Sequence, residues 1–213
     1  MVNRIDRWAP AAGLISPPFY LALIIVLGAL EPGFSHRTSL MSLLGGVGGI
    51  LGLAFNLGVV VTGVCLIVFA AGLRQQLPPG WRDNAATLLL TIGGSGLIGA
   101  GAFACDQGCR NILIDPDLVG RLHIVSSLSA GMGSGVALFF YWAAMSRSEQ
   151  WRSFVKPTLT AAVLANLPGV VLWFTIFADL RLRSVEGYLQ RMGFIVVLLW
   201  IFFAANRMRR TSE

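Results

Sequence analysis

The stretch GGVGGILGLAFNLGVVVTGVCLIVFAAGL, residues 45–73, decides the fold of this chain. It contains no charged residue, and Asn56 is its one amide side chain. A helix needs about 20 consecutive apolar residues to cross the hydrocarbon core of a bilayer, so the run predicts a transmembrane helix. Two overlapping pairs of glycines four apart, in GGVGGILG at residues 45–52, predict close approach of a neighbouring helix.

Five further runs have the same character, and together they predict an all-α fold, a six-transmembrane-helix bundle. The chain is read as a single integral membrane domain, 1–213, with spans at residues 11–30, 45–73, 85–104, 120–145, 158–178 and 188–205. The runs are continuously apolar, whereas the strands of a membrane barrel would alternate. Pro17-Pro18 and the segment NLPG at 166–169 predict kinks in the first and fifth helices, or a delayed start of the first. The first run is read as a retained helix and not as a cleaved signal peptide.

The amino-acid composition also indicates a membrane protein. Of the 213 residues, 55% are apolar and 12% are charged, whereas soluble domains have about 25% charged residues. The formal net charge of +6 does not indicate a nucleic-acid partner, because the charges lie in short loops between apolar spans. The predicted partners are therefore membrane lipids and a lipophilic substrate, with no nucleic acid. Glycine-rich helix faces also permit oligomers.

The basic residues indicate the orientation in the membrane. Ten of the 16 basic residues and four of the 10 acidic residues fall at the end of the bundle that carries both termini, so the whole net charge lies there. The positive-inside rule then predicts that both termini are cytoplasmic, in a bacterial cytoplasmic (inner) membrane. The basic residues at this end are Arg4, Arg7, Arg74, Arg82, Arg147, Arg152, Lys156, Arg207, Arg209 and Arg210.

A polar segment between the third and fourth spans is the predicted location of function. It reads CDQGCRNILIDPDLVGRLHIVSSLS, residues 105–129, and lies at the outer end in this topology. The outer end also carries both histidines, His36 and His123, and six of the ten acids. Ionisable residues at the edge of a membrane span are functional candidates by default.

Four segments resemble domain of unknown function 998, a family of six-span prokaryotic membrane proteins. They are EPGFSHRTSL at 31–40, NLGVVVTGVCLIVFAAGLR at 56–74, GLIGAGAFACDQG at 96–108 and GRLHIVSSLSAGMG at 120–133. The resemblance covers residues 13–207 and implies a six-span fold, but it implies little about function.

The leading functional prediction is a membrane-embedded enzyme that acts on a lipophilic substrate, such as a lipid or isoprenoid. Burial at a membrane edge shifts pKa values toward those useful for acid–base catalysis. Cyclisation or isomerisation would need a protonated acid, Asp106 or Asp115, above an aromatic-lined pocket, whereas hydrolysis would need a metal or a polarised water. The candidate catalytic residues are Asp106, Asp115, His123 and His36. The candidate substrate-binding residues are Glu31, Asp117, Arg121, Asn56 and Asn166.

Other interpretations of the same residues stay open. His36, Asp106, Asp115, Asp117 and His123 offer metal-binding side chains, but no HxxxH or HxxE spacing occurs, so no metal site is assigned. The same residues can form a purely structural network in which Arg121 pairs with Asp115 or Asp117. A Ser–His hydrolase lacks support from a GxSxG motif, although five serines lie near the two histidines: Ser35, Ser39, Ser126, Ser127 and Ser129. No cofactor is indicated.

The cysteines favour structure over catalysis. Cys105 and Cys109 are spaced CxxxC and not CxxC, which favours a disulfide on an oxidising face, or inert thiols, over a redox centre. Cys65 lies within the second span and is interpreted as a packing residue.

Two functions other than an enzyme remain. A non-catalytic accessory or scaffold protein would use the outer network only to hold its loops together. A small-molecule transporter needs a polar path at midplane, for which Asn56 and Asn166 are the candidates; these amides either bond to each other or line a cavity. No inverted repeat supports the transporter.

Overall fold

Six long helices account for most of the chain. The computed structural model describes residues 4–105, 117–178 and 184–211. All six helices are long and apolar enough to cross a membrane, and no strand occurs in the described residues. The predicted all-α, six-helix fold of a multi-pass membrane protein is therefore confirmed. The helices are α1 Arg4–Leu30, α2 Gly49–Gln75, α3 Trp81–Ala102, α4 Leu118–Met145, α5 Val155–Phe177 and α6 Glu186–Thr211.

The start of α2 differs from the prediction. A 3₁₀ helix, Met41–Gly46, precedes it, and α2 begins at Gly49 instead of Gly45. The φ angles of Gly48 and Gly49 are +75° and +58°, a left-handed backbone that separates the two helices. The glycines of residues 45–52 therefore do not form one helix face. Pro17 and Pro18 lie inside α1 and do not delay its start.

The six helices form a closed ring. Each helix packs against the next one in the sequence, and α6 packs against both α5 and α1. We call the end of the ring that holds the start of α1 and the end of α6 the terminal end, and the opposite end the distal end. At the terminal end, Gly72 of α2 faces Ala9 of α1 and Met208 of α6. An up-and-down ring of this kind brings all six helices around one central space.

Aromatic side chains fill the terminal half of this space. Tyr141 of α4 and Trp200 of α6 are buried with their ring centroids 5.2 Å apart, and Phe69 of α2 meets Trp200 edge-on at 6.2 Å. Trp151, from the 3₁₀ helix Glu149–Phe154, is also fully buried and donates its indole N–H to the Gln76 carbonyl. The terminal half of the ring is thus a packed core.

The helices α3 and α4 approach each other through glycine. A methyl group added at Gly133 of α4 would lie 2.7 Å from the backbone nitrogen of Gly93 and 2.8 Å from the carbonyl oxygen of Leu89. Only residues without a side chain allow such an approach. This contact holds the N-terminal half of α4, which carries His123, against α3.

Candidate functional site

A cavity of about 500 Å³ occupies the distal half of the ring. Every helix contributes to its wall, and most of the wall is apolar. Pockets that bind small molecules have this size and this mixture of apolar walls and a few polar groups. One wall residue from each helix, in chain order, is Tyr20, Asn56, Leu97, His123, Asn166 and Gln190.

His123 lies in the second turn of α4 and is 5% exposed. Its Nδ1 atom is 2.8 Å from the carbonyl oxygen of Phe103, just beyond the end of α3. A carbonyl oxygen only accepts hydrogen bonds, so Nδ1 carries the proton and donates it. In the neutral ring, Nε2 is then left as an acceptor, and this is the basic atom of the cavity wall.

Ser127 supplies the partner of that acceptor. It lies one helical turn after His123, and its Oγ atom is 3.3 Å from His123 Nε2. With Nδ1 protonated, the hydroxyl group is the donor in this contact. A hydroxyl, a base that it faces and a third group that orients the base form the arrangement that activates a nucleophile. The contact is longer than an ideal O–H···N bond, as is common in sites without substrate.

Three amide side chains add polar groups to the wall. Asn56 donates to the Gly45 carbonyl at 3.1 Å, and Asn166 donates to the carbonyls of Gly135 and Ala162 at 2.9 and 2.7 Å. In the described residues the two asparagines therefore bond to backbone and not to each other. Gln190 accepts a hydrogen bond from the Met41 backbone N–H at 2.6 Å, which fixes the orientation of its amide. Its NH₂ group is the part left to donate to a ligand.

The cavity opens sideways between α4 and α5. Met132 of α4 and Val170 of α5 line it, yet they are 60% and 65% exposed, so the cavity reaches the outside of the bundle there. Gly131 and Gly169 lie beside them, and a Cβ atom added at either glycine would have no neighbour within 4 Å. We call the gap beside these four residues the lateral opening. Because it faces the bilayer, it gives apolar molecules a route to His123.

Arg191 of α6 lies at the distal end, next in sequence to the cavity-lining residue Gln190. It is 7% exposed, and its Nη1 atom lies 2.9, 2.7 and 2.8 Å from the carbonyl oxygens of His36, Ser39 and Gly187. Its guanidinium group lies over the ring of Phe34, 5.3 Å from the centroid. The loop after α1 is therefore fastened to the start of α6.

His36 belongs to this fastening and not to the cavity. Its ring meets Phe34 edge-on at 5.3 Å, and it does not line the cavity wall. Loss of water around the ring and, second, the charge of Arg191 lower the pKa of His36 below its usual 6.5. The two histidines that were predicted as catalytic therefore have different partners in the described structure: the ring of His36 contacts Phe34, and that of His123 contacts the Phe103 carbonyl.

The remaining predicted residues divide into three groups. Asn56 and Asn166 line the cavity, whereas Glu31, Asp117 and Arg121 do not. Asp117 instead caps α4, because its carboxylate accepts from the Gly120 N–H at 2.7 Å. Asp106 and Asp115 lie outside the described residues, so their predicted catalytic role stays a prediction.

Within the described part of the chain, no group of three metal-binding side chains occurs. Cys105 is disulfide-bonded and Cys65 is a free thiol. Cys105 Sγ lies 3.6 Å from the carbonyl oxygen of Ser42, next to the cavity wall. The disulfide bond of Cys105 agrees with a structural role for this cysteine. Cys109 lies outside the described residues, so its predicted pairing with Cys105 stays a prediction.

The site contains residues that the sequence did not single out. His123 was predicted as catalytic, but Ser127 was considered only in the Ser–His hydrolase, which lacked a GxSxG motif. The i,i+4 spacing that places the two residues on one helix face was the signal that could have joined them. Tyr20 and Gln190 carried no such signal, because their place in the wall depends on which helices become neighbours. The contacts of Arg191 could not be predicted either, because in the sequence it is only one of the six basic residues assigned to the outer end.

Comparison with known proteins identifies the family. The family model described as "Protein of unknown function (DUF998)" matches residues 14–207, so the chain belongs to that family and the predicted resemblance is confirmed. No curated protein and no solved structure matches the chain.

Proposed function

We propose that this member of the DUF998 family is a membrane-embedded enzyme that acts on a lipophilic, lipid- or isoprenoid-like substrate by acid–base chemistry. The observation that carries the proposal is the pair of His123 and Ser127 on the wall of an apolar cavity that opens toward the bilayer. The roles follow from the atoms: His123 Nε2 is the base, and the Ser127 hydroxyl is the group that it deprotonates.

The cavity supports a substrate drawn from the membrane. Its volume of about 500 Å³ suits part of a lipid or a compact isoprenoid, with the rest extending through the lateral opening. Leu97, Phe55 and Phe194 supply apolar wall of the cavity that His123 also lines. A substrate that arrives through lipid needs no water-filled channel. An apolar wall and a lateral opening are therefore both expected of a site for such a substrate.

The pair favours cleavage or transfer of an ester-type bond over cyclisation. Ser127 Oγ would attack the carbonyl carbon while its proton passes to His123 Nε2, and the same proton would then leave with the departing alkoxide. Water, deprotonated in turn by His123, would attack the acyl carbon. The bond from that carbon to Ser127 Oγ would then break, and His123 would return its proton to Oγ as the carboxylic acid leaves. The carbonyl of Phe103 holds the imidazole in the tautomer that this sequence of proton transfers requires. Cyclisation needs a protonated acid, and its candidates, Asp106 and Asp115, lie outside the described residues.

The packed terminal half disfavours the transporter among the alternatives. Tyr141, Trp151 and Trp200 are buried beneath the cavity, so a solute that entered from the distal half would meet aromatic core and not a second exit. The scaffold alternative makes no use of the cavity. With both termini in the cytoplasm of a bacterial cell, as the positive-inside rule predicts, the cavity would lie in the outer half of the inner membrane.

The test is covalent labelling by a long-chain alkyl fluorophosphonate, which reacts with activated serines. In wild-type protein we expect attack by Ser127 Oγ on phosphorus with departure of fluoride, detected as a mass shift on the peptide that contains Ser127. Ser127→Ala should abolish the label. His123→Asn should slow labelling by about 10²-fold or more, the usual contribution of a general base.

Two controls separate chemistry from folding. Asn places an amide N–H close to the position of Nδ1, so His123→Asn can keep the hydrogen bond to Phe103 while it removes the base. Ser129→Ala, on the same helix but outside the cavity wall, should label at the wild-type rate. If the wild-type protein is not labelled, or if Ser127→Ala is labelled as fast as wild type, the proposed activation of Ser127 is wrong.

A further inference from the structure

A second concave surface lies between α5 and α6 at the terminal end, away from the distal cavity. It is a groove of about 870 Å³. Its walls include the exposed side chains of Leu164, Leu199 and Phe203, and its floor includes Phe154 and Trp200. The indole N–H of Trp200 donates to Thr158 Oγ1 at 3.0 Å, so the floor presents no unsatisfied polar group from this ring. The groove is thus shaped for an apolar chain.

Three cationic side chains line the same groove: Lys156 at the start of α5, and Arg207 and Arg210 at the end of α6. Among the residues that the structure describes, no acidic side chain lines it. Elsewhere at this end, Arg74 lies 3.7 Å from the carboxylate of Asp83, and Arg152 pairs with Glu149 at 3.2 Å. In the described part of the chain, no carboxylate pairs with Lys156 or Arg210.

Arg207 is held in position for binding. Its Nη2 atom donates to the carbonyl oxygen of Gln150, and its guanidinium group lies over the Trp151 ring, 5.4 Å from the centroid. A guanidinium group that is already fixed loses less conformational entropy when it binds an anion. The positive-inside rule accounts for basic residues at this end, but it does not require them to line a concave groove. The groove and the fixed guanidinium group together indicate a ligand.

We propose that this groove binds an anionic phospholipid, with its phosphate at Lys156, Arg207 and Arg210 and an acyl chain along the apolar walls. Cations bind phosphate oxygens strongly, and basic pockets between transmembrane helices commonly hold anionic headgroups. The groove is cationic at the membrane surface and apolar below it. A phospholipid has the complementary arrangement, an anionic headgroup followed by apolar chains, whereas a water-soluble anion lacks the apolar part. A bound lipid of this kind would bridge α5 and α6.

The test is native mass spectrometry of the full-length protein with equal amounts of phosphatidylglycerol and phosphatidylcholine. Wild type should retain phosphatidylglycerol preferentially. Lys156→Gln with Arg210→Gln should weaken its binding by about tenfold or more, since each removes a cation at the headgroup. This pair leaves Arg207 and its contacts with Gln150 and Trp151 in place, so that the fold is kept. Leu164→Trp, which narrows the groove without a change of charge, should also weaken binding.

A matched pair of charges serves as the control. Arg82→Gln with Arg147→Gln removes the same charge from the same end of the bundle but outside the groove. This variant should bind phosphatidylglycerol as wild type does. Equal loss in both double variants, absence of a preference in wild type, or full competition by water-soluble glycerol phosphate would each overturn the proposal.

Discussion

At the scale of single residues, Arg191 fastens the loop after α1 to α6. One buried guanidinium nitrogen lies within hydrogen-bond distance of three carbonyl oxygens, on the loop after α1 and on α6 itself. Hydrogen bonds to a charged group stabilise by about 1.5–3 kcal/mol, more than neutral ones. The loop after α1 is therefore held by this side chain in addition to its own backbone hydrogen bonds.

Replacement of Arg191 by Met, which is also long and unbranched, should loosen that loop. We expect the free energy of unfolding to fall by about 2–3 kcal/mol, and trypsin to cleave faster at the exposed Arg37 within the loop. Limited proteolysis in detergent, followed by mass spectrometry, measures the rate. Arg209→Met, on an exposed position of α6 at the terminal end, is the control and should leave cleavage unchanged. Equal rates in both variants would contradict the fastening role.

His36 should make stability depend on pH. Its pKa is lower in the folded protein than the usual 6.5, so the unfolded chain takes up a proton first as the pH falls. The free energy of unfolding therefore decreases as the pH falls below about 6.5, and this contribution is fully present above that pH.

The measurement is the thermal midpoint at several pH values on both sides of the usual histidine pKa, for wild type and His36→Gln. Wild type should lose more stability toward acid than the variant, because Gln takes up no proton. Parallel pH profiles would show that His36 does not contribute.

At the scale of helices, α4 presents glycines to two different environments. Gly133 faces the backbone of α3 at contact distance, whereas Gly131, two residues earlier, borders the lateral opening. The same substitution at these neighbouring positions therefore tests the packing of α4 without a change in helix propensity between the two variants.

Gly133→Ala should destabilise the protein by about 1–3 kcal/mol, the usual cost of overpacking. Gly131→Ala should be neutral or stabilising by up to about 1 kcal/mol, since Ala is the better helix former. Thermal midpoints in the same detergent provide the comparison. If Gly131→Ala is as destabilising as Gly133→Ala, the lateral opening is not open in the protein.

Hydropathy alone was enough to predict the helices, and it was not enough to predict their contacts. Long apolar runs predict spans because lipid leaves no other backbone structure available. The residues of α2 are apolar on nearly all sides, so the run does not indicate which face meets α1 and which meets α3. Local rules also failed at Gly48 and Gly49, where a left-handed backbone separates a 3₁₀ helix from α2.

The candidate site was predictable only in part, because some of its wall depends on which helices become neighbours. His123 was predicted because an ionisable residue at a membrane edge is rare, and Ser127 follows it on the same helix face. Gln190 and Tyr20 reach the cavity only because α6 returns to α1 and closes the ring, a contact between the ends of the chain. No pattern within a single span contains that information.

At the scale of the whole molecule, the ring divides into two halves with different roles. The terminal half is packed with buried aromatic rings, and the distal half encloses the cavity. In the described part of the chain, the cavity ends at the packed aromatic core and opens sideways between α4 and α5. This arrangement suits a reaction on a molecule that enters from lipid and leaves by the same route.

In the proposed reaction, a lipophilic molecule enters between α4 and α5 and reacts at His123. The most direct measurement follows lipid species by mass spectrometry after purified protein is reconstituted with a bacterial lipid extract. Wild type should deplete at least one species and produce its cleavage or transfer product. His123→Asn should slow that conversion by about 10²-fold or more, and Gly131→Trp, which fills the lateral opening, should slow it while the thermal midpoint is kept. No conversion by wild type, or conversion by His123→Asn at the wild-type rate, would contradict the claim.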